Sequence, residues 1–349
     1  HGVSGSGKTS VFVHRAVHLA KASDEGEKIL IITLSDALSD LIQELVERLC
    51  DGKIPSNLII QPYYFFVGRF LDALPDEILI GFCESFEQRL NEGTTLNNRL
   101  YELMKDRGSS RLARLLSFSK NSENRQKWEK FFDDQESYDN LDQIVIRDFG
   151  EEILSEYVWD ELTLVRSVSD ISENYSSYLS HRRNSRGIAL KEIYRNHALE
   201  KLKKWDAEML REGFLDELTF TQAVNYFTDQ QIEIPSEFRF KSILVDEYQD
   251  LSTFDIKFLN ELVLEKKNGL FLTGDVAQKI NAKQFDIMKV VPRELLVDRR
   301  LLKNYRNSKQ ILDMAYSMVE KVLNLDRDHT GSHSDIDKIL KPELADKES

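Results

Sequence analysis

Residues 2–9 read Gly-Val-Ser-Gly-Ser-Gly-Lys-Thr, a complete G-x-x-x-x-G-K-[ST] string. This string dictates a local fold. Its glycines let successive backbone N–H groups turn inward, and a helix must follow whose positive end faces the same point. Ser10 to Ala22 supplies the helical pattern, with Val13, Ala16, Val17 and Ala20 on one face. Converging N–H groups at a helix N-terminus make an anion cradle, so Gly2, Val3, Ser4, Gly5, Ser6 and Gly7 are expected to wrap phosphate oxygens. Lys8 can reach the β- and γ-phosphates, and the Thr9 hydroxyl can ligate Mg²⁺. Loops of this kind normally follow a buried strand, yet only His1 precedes Gly2. The chain is therefore expected to be a fragment of a longer protein.

Three short apolar runs have the pattern of buried parallel strands: Lys28 to Leu34, Lys241 to Val245 and Leu270 to Thr273. Each is followed by polar residues, the second by Asp246-Glu247-Tyr248-Gln249-Asp250 and the third by Gly274-Asp275. That arrangement predicts an open parallel α/β sheet with its ligand at the carboxyl ends of the strands. Between the strands, the segment from Gln61 to Glu237 reads as mostly helical. Its apolar positions include Leu112, Leu115, Leu116 and Phe118, then Ile153, Leu154, Tyr157 and Val158, then Leu199, Leu202, Trp205, Met209 and Leu210. The last stretch, Asp326 to Ser349, is polar with weak periodicity and predicts loop or partial disorder.

Charge limits the choice of partner. The net charge of −13 over 349 residues argues against a surface that grips nucleic acid everywhere. A local basic stretch remains, with Arg182, Arg183, Arg186, Lys191, Arg195, Lys201, Lys203 and Lys204. It reads either as a solvated helix face or as a contact for nucleic acid or a protein partner, with Arg182, Arg183 and Arg186 the candidate nucleic-acid residues. Two cysteines, Cys50 and Cys83, read as free thiols. No apolar run is long enough to span a bilayer, and a cytoplasmic location without membrane partners is the default expectation; a missing signal-peptide pattern says nothing in a chain expected to lack its natural start. His14 and His18 have a metal-ligand spacing, but no third ligand accompanies them.

Four blocks stand in one order: the loop at 2–9, Asp-Glu-Tyr-Gln-Asp at 246–250, Gly274-Asp275-x-x-Gln278, and Asn304-Tyr305-Arg306. In this the chain resembles the UvrD/Rep-like superfamily 1 helicases and translocases. The resemblance implies a RecA-like P-loop NTPase fold, an α/β parallel sheet flanked by helices and carrying a large helical insertion. It implies that residues 1–60 and 238–300 form the ATP-binding motor domain, 61–237 the insertion, and 301–349 the start of a second motor domain with a polar tail. It also implies roles: Asp246 holds Mg²⁺, Glu247 is the general base, Gln278 touches the γ-phosphate, Arg306 acts as an arginine finger and Tyr305 stacks near the adenine.

The chain departs from the family where single-stranded DNA is gripped. Thr33-Leu34-Ser35-Asp36-Ala37-Leu38-Ser39 keeps the family's threonine but lacks its aromatic and lysine, and Lys279-Ile280-Asn281-Ala282 lacks the usual stacking aromatics. Tyr63, Tyr64, Phe65 and Phe66 read either as a substitute stacking platform or as core. No later family motif follows Arg306, so the isolated chain is expected to be a poor or inactive ATP hydrolase. The resemblance thus implies an ATP- and Mg²⁺-dependent DNA helicase or translocase with weakened strand contacts. The alternative is a related ATPase that remodels a protein partner through the insertion. A nucleotide-binding module without catalysis would require loss of Lys8 or Glu247, and both are present.

Overall fold

A computed structural model describes residues 2, 5–24, 26–75, 77–78, 81–82, 85, 122–135, 137–170, 173–181, 183, 188–212, 217–275, 282–283, 286–301, 303–305, 310–311, 313–314, 317 and 343–344. The helix after the loop, α1 (Lys8–Ala22), buries Val13, Ala16, Val17 and Ala20 as its periodicity requires. It leads into β1 (Ile29–Thr33), α2 (Asp36–Leu49), β2 (Leu58–Pro62) and α3 (Tyr63–Asp72). The Ser35 side chain caps α2 by accepting from the Leu38 N–H, and α2 turns Ser39, Ile42 and Val46 inward.

Next come the helices α4 (Ser122–Asp133), α5 (Asn140–Phe149), α6 (Leu154–Val168), the single turn α7 (Ser177–Ser180), α8 (Glu192–Glu212) and α9 (Glu217–Asp229). The expected helical positions from Ile153 to Val158 fall at the start of α6, and those from Leu199 to Leu210 fall on α8. The expected helix around Leu112 to Phe118 lies outside the described residues. Trp128, Trp159 and Trp205 meet with ring centroids 5.2 to 6.0 Å apart and join α4, α6 and α8. The chain then forms β3 (Ser242–Val245), α10 (Thr253–Glu261) and β4 (Leu270–Leu272).

All neighbouring strands run parallel, in the order β2-β1-β3-β4. The sequence pattern did not signal β2, a five-residue strand that ends in proline. An edge strand tolerates Pro62 because its outer side needs no N–H donor. The sheet separates two cores, as the alternation along β1 requires. Ile29 and Ile31 face α1 and α2 with Leu244, whereas Leu30 and Ile32 join Ile243, Val245 and the helices that lie between β2 and β3 in the chain.

The fully buried carboxylate of Asp255 ties this second layer together. It accepts from Tyr63 Oη at 2.8 Å, Thr221 Oγ1 at 2.9 Å, and the Ser252 N–H and hydroxyl, both at 2.8 Å. Burial, and then Asp255, push the Tyr63 hydroxyl well above its ordinary range, so it remains a donor. Tyr63 and Phe66 are thus core residues, while Phe65 is half exposed and Tyr64 accepts from Lys283 Nζ at 2.7 Å. Among the described residues, no helix is long and apolar enough to cross a membrane.

Candidate active site

The chain order reverses between β1 and β3, whose carboxyl ends lie side by side, and open α/β sheets bind ligands at such a point. The phosphate loop sits at the same edge, where the Gly2 N–H donates to Gly274 O at 3.2 Å, just past β4. Gly7 closes the loop at φ 84° and ψ 20°, a left-handed position that glycine occupies without strain. It stands at the N-cap of α1 with no side-chain cap, which leaves the first-turn N–H groups to an outside acceptor. Lys8 is buried against the loop, with Nζ donating to Gly2 O at 3.0 Å. Thr9 is partly exposed on the first turn of α1. Val3 and Ser4 lie outside the described residues.

Asp246 directly follows β3 and is 1% exposed. Its backbone N–H donates to Ile32 O of β1 at 3.2 Å. Its Oδ1 accepts from Thr273 Oγ1 at 2.6 Å and from the Glu247 N–H at 3.1 Å. Its Oδ2 is buried without a hydrogen-bond partner among the described residues. Burial pushes the Asp246 carboxyl above the ordinary carboxylate range. The Glu247 charge pushes the same way, while the Thr273 hydrogen bond, the Glu247 N–H and the Lys8 charge pull it back. A buried carboxylate oxygen is costly unless a donor or a cation compensates it.

Glu247 follows in a left-handed conformation, φ 51° and ψ 44°, and its Oε2 accepts from Gln249 Nε2 at 2.9 Å. Leu301 pairs with Gly2, and the Tyr305 N–H donates to Gly5 O at 3.0 Å, so Leu301 and Tyr305 both lie beside the phosphate loop. The Tyr305 ring stays 71% exposed there. Sequence reasoning assigned this segment to the start of a second motor domain; Leu301 and Tyr305 meet the loop, while Lys303 and Asn304 pair in parallel with Glu343 and Leu344. Gln278 and Arg306 lie outside the described residues.

The basic stretch corrects one expectation. Arg182 and Arg186 lie outside the described residues, but Arg183 is buried, 7% exposed, inside the helical region. Its guanidinium grips Glu161 at 2.6 and 2.5 Å and also donates to Tyr157 Oη at 3.0 Å and to Ile188 O. A guanidinium spent in this way presents no face to a DNA backbone. Arg195 donates to the carbonyls of Tyr178, Leu179 and His181, each at 2.8 Å, which closes the end of α7. Lys201 is buried between Asp139 and Asp142 at 2.9 and 3.0 Å. His14 and His18 both lie exposed on α1, and the described residues hold no cluster of three metal-ligating side chains.

Sequence reasoning missed Thr273 and Gln249 as parts of this site. Thr273 had a signal in its place at the end of a strand beside Asp246; Gln249 had one only in lying two residues beyond Glu247.

Residues 2–282 match the family described as UvrD/REP helicase N-terminal domain. An ATP-dependent helicase/nuclease subunit from Lactobacillus helveticus (strain DPC 4571) is 48% identical over 42 residues. That stretch is 12% of this chain and 4% of the relative, so only a small part of the relative's length is matched. With the phosphate loop, the acidic strand end and the parallel sheet in one place, and with the family match running through all of them, the chain belongs to the UvrD/REP helicase family.

Proposed function

We propose that this chain binds ATP with Mg²⁺ and hydrolyses it, as the motor part of a protein that moves along single-stranded DNA. The observation that carries this reading is the buried Asp246 Oδ2, without a partner among the described residues, at the same sheet edge as Lys8 and the uncapped N-terminus of α1. The residues fit a magnesium nucleotide. Backbone N–H groups of residues 5–9 would hold phosphate oxygens, Lys8 would turn from Gly2 O to the β/γ-phosphates, and Thr9 and Asp246 would hold the metal. The metal offsets charge on the phosphates. Glu247 would orient the attacking water and take its proton. Gln278 and Arg306 would complete the γ-phosphate contacts, and Tyr305 would lie against the base. On this reading residues 1–60 and 238–300 form the motor domain, 61–237 the insertion and 301–349 the beginning of the next domain.

One observation favours a second reading, an ATPase that works on a protein partner. Arg183, Arg195 and Lys201 serve the inside of the helical region, which leaves less cationic surface for DNA than the sequence suggested. Phosphate release by the intact protein, with and without single-stranded DNA at low salt, separates the two. The motor reading expects strong stimulation by DNA, and a loss of about 10²-fold or more in Glu247→Gln with ATP binding kept. A DNA-independent rate in a protein that still needs Glu247 would favour the protein partner.

A further inference from the structure

Glu247 stands in a backbone conformation that residues with a side chain seldom adopt, so something must hold it there. The Gln249 side chain, 4% exposed, reaches back over the turn. Its Nε2 donates to Glu247 Oε2 at 2.9 Å, and its Oε1 accepts from the Asp275 N–H at 3.1 Å. Chemistry fixes the direction of this bridge. A carboxylate can only accept and a backbone N–H can only donate, so the amide fits one way round.

The space for the bridge is also specific. A Cβ at Gly274 would fall 2.3 Å from Gln249 Oε1 and 2.8 Å from the Tyr248 ring. Glycine at 274 therefore lets the loop after β4 close onto the Gln249 amide. The backbone reinforces the join, with the Tyr248 N–H donating to Thr273 O at 3.1 Å.

The geometry points to Gln249 as the positioning residue for Glu247, clamping its carboxylate and tying it to the loop that begins at Gly274. This rests on Glu247 being the base. Asp275 precedes Gln278 by three residues in the sequence, and a displacement of the Asp275 N–H would be passed to Glu247 through one amide. Gln249 touches neither water nor phosphate in this role; it limits where the Glu247 oxygens can go.

The test uses Gln249→Met and Gln249→Glu in the intact protein, each alone and combined with Glu247→Gln. Methionine keeps the volume and removes both hydrogen bonds. Glutamate still accepts from the Asp275 N–H but sets a carboxylate against Glu247. Single-turnover phosphate release should fall roughly ten- to a hundredfold in both variants, the scale of a misplaced catalytic group. Affinity for a non-hydrolysable Mg-ATP analogue should stay within about twofold, a loss confined to the chemical step. In the Glu247→Gln background neither change should lower the residual rate further, because the two residues act as a unit. Wild-type release by both single variants would overturn the proposal, as would an equal fold-loss in both backgrounds, the mark of a scaffold role. Should Gln249→Met fail to fold, Gln249→Glu carries the same comparison alone. A Glu247→Gln protein that hydrolyses at the wild-type rate would overturn the base assignment itself.

Discussion

Asp246 shows how a buried carboxylate can cost the fold that carries it. Its carboxylate is buried, one oxygen lacks a donor among the described residues, and its proton affinity is raised by that burial. The folded protein therefore holds the Asp246 proton to higher pH than the unfolded chain does. This residue's contribution to stability is greatest below the ordinary carboxylate range and is lost as pH rises through the raised value. Asp246→Asn removes the charge, and the Oδ1 contacts from Thr273 and Glu247 can persist. Its expected outcome is a higher melting temperature near neutral pH together with a raised Mg²⁺ requirement for nucleotide binding. A melting temperature below wild type at neutral pH, by calorimetry, would contradict the burial argument. Lys8→Ala gives the complementary result. Mg-ATP analogue at a hundredfold excess over its Kd should stabilise the wild type by about 2.7 kcal/mol, through mass action alone. The same concentration should leave the melting temperature of Lys8→Ala nearly unmoved. An equal shift in both proteins would remove Lys8 from the nucleotide site.

At the scale of elements, what the sequence disclosed divides along a physical line. The helix after the loop was legible from its periodicity, and the strands ending at Thr33 and Val245 because burial on both faces leaves an uninterrupted apolar run, a run that the half-buried strand ending at Leu272 also keeps. The placement of Asp246 and Gly274 just past strand ends was legible too, since each closes an apolar run. β2 was not, because it is short, lies at the sheet edge and ends in proline. The role of Arg183 was not legible either. Its partner Glu161 lies on α6, and a run of positive charge does not disclose which cations turn inward. Paired and hydrogen-bonded on every side, that guanidinium is part of the fold of the helical region. Breaking such a pair leaves a buried charge uncompensated, so Glu161→Gln should cost about 3–5 kcal/mol in chemical denaturation. Replacing both partners together, Glu161→Leu with Arg183→Met, should cost less than the single change, since neither charge remains buried alone. A single variant within about 0.5 kcal/mol of wild type, the usual range for surface changes, would return this pair to the surface.

Across the whole molecule, the balance of charge decides how a nucleic acid could be held. The chain is acidic, with net charge −13, so the protein's overall field repels a phosphate backbone, and only local cations can oppose it. For single strands, the logarithm of affinity falls with the logarithm of salt by about 0.7 for each phosphate neutralised. That slope counts cations in contact, and it separates a cation that meets DNA from one that holds the fold. Arg183 belongs to the second kind on its burial and its four described donations, whereas Lys191 and Lys204 lie exposed on or beside α8. If the strand crosses the helical region, Lys191→Glu with Lys204→Glu should reduce the slope by more than about 0.7 and leave the melting temperature close to wild type. If it follows the carboxyl edge of the sheet, the same pair should leave the slope unchanged. Arg183→Met distinguishes itself in either case. It should lower the midpoint of denaturation while the salt slope, measured well below that midpoint, stays within error of wild type. A slope reduced by about 0.7 with stability unchanged would place the Arg183 guanidinium on the DNA and refute the buried ion pair.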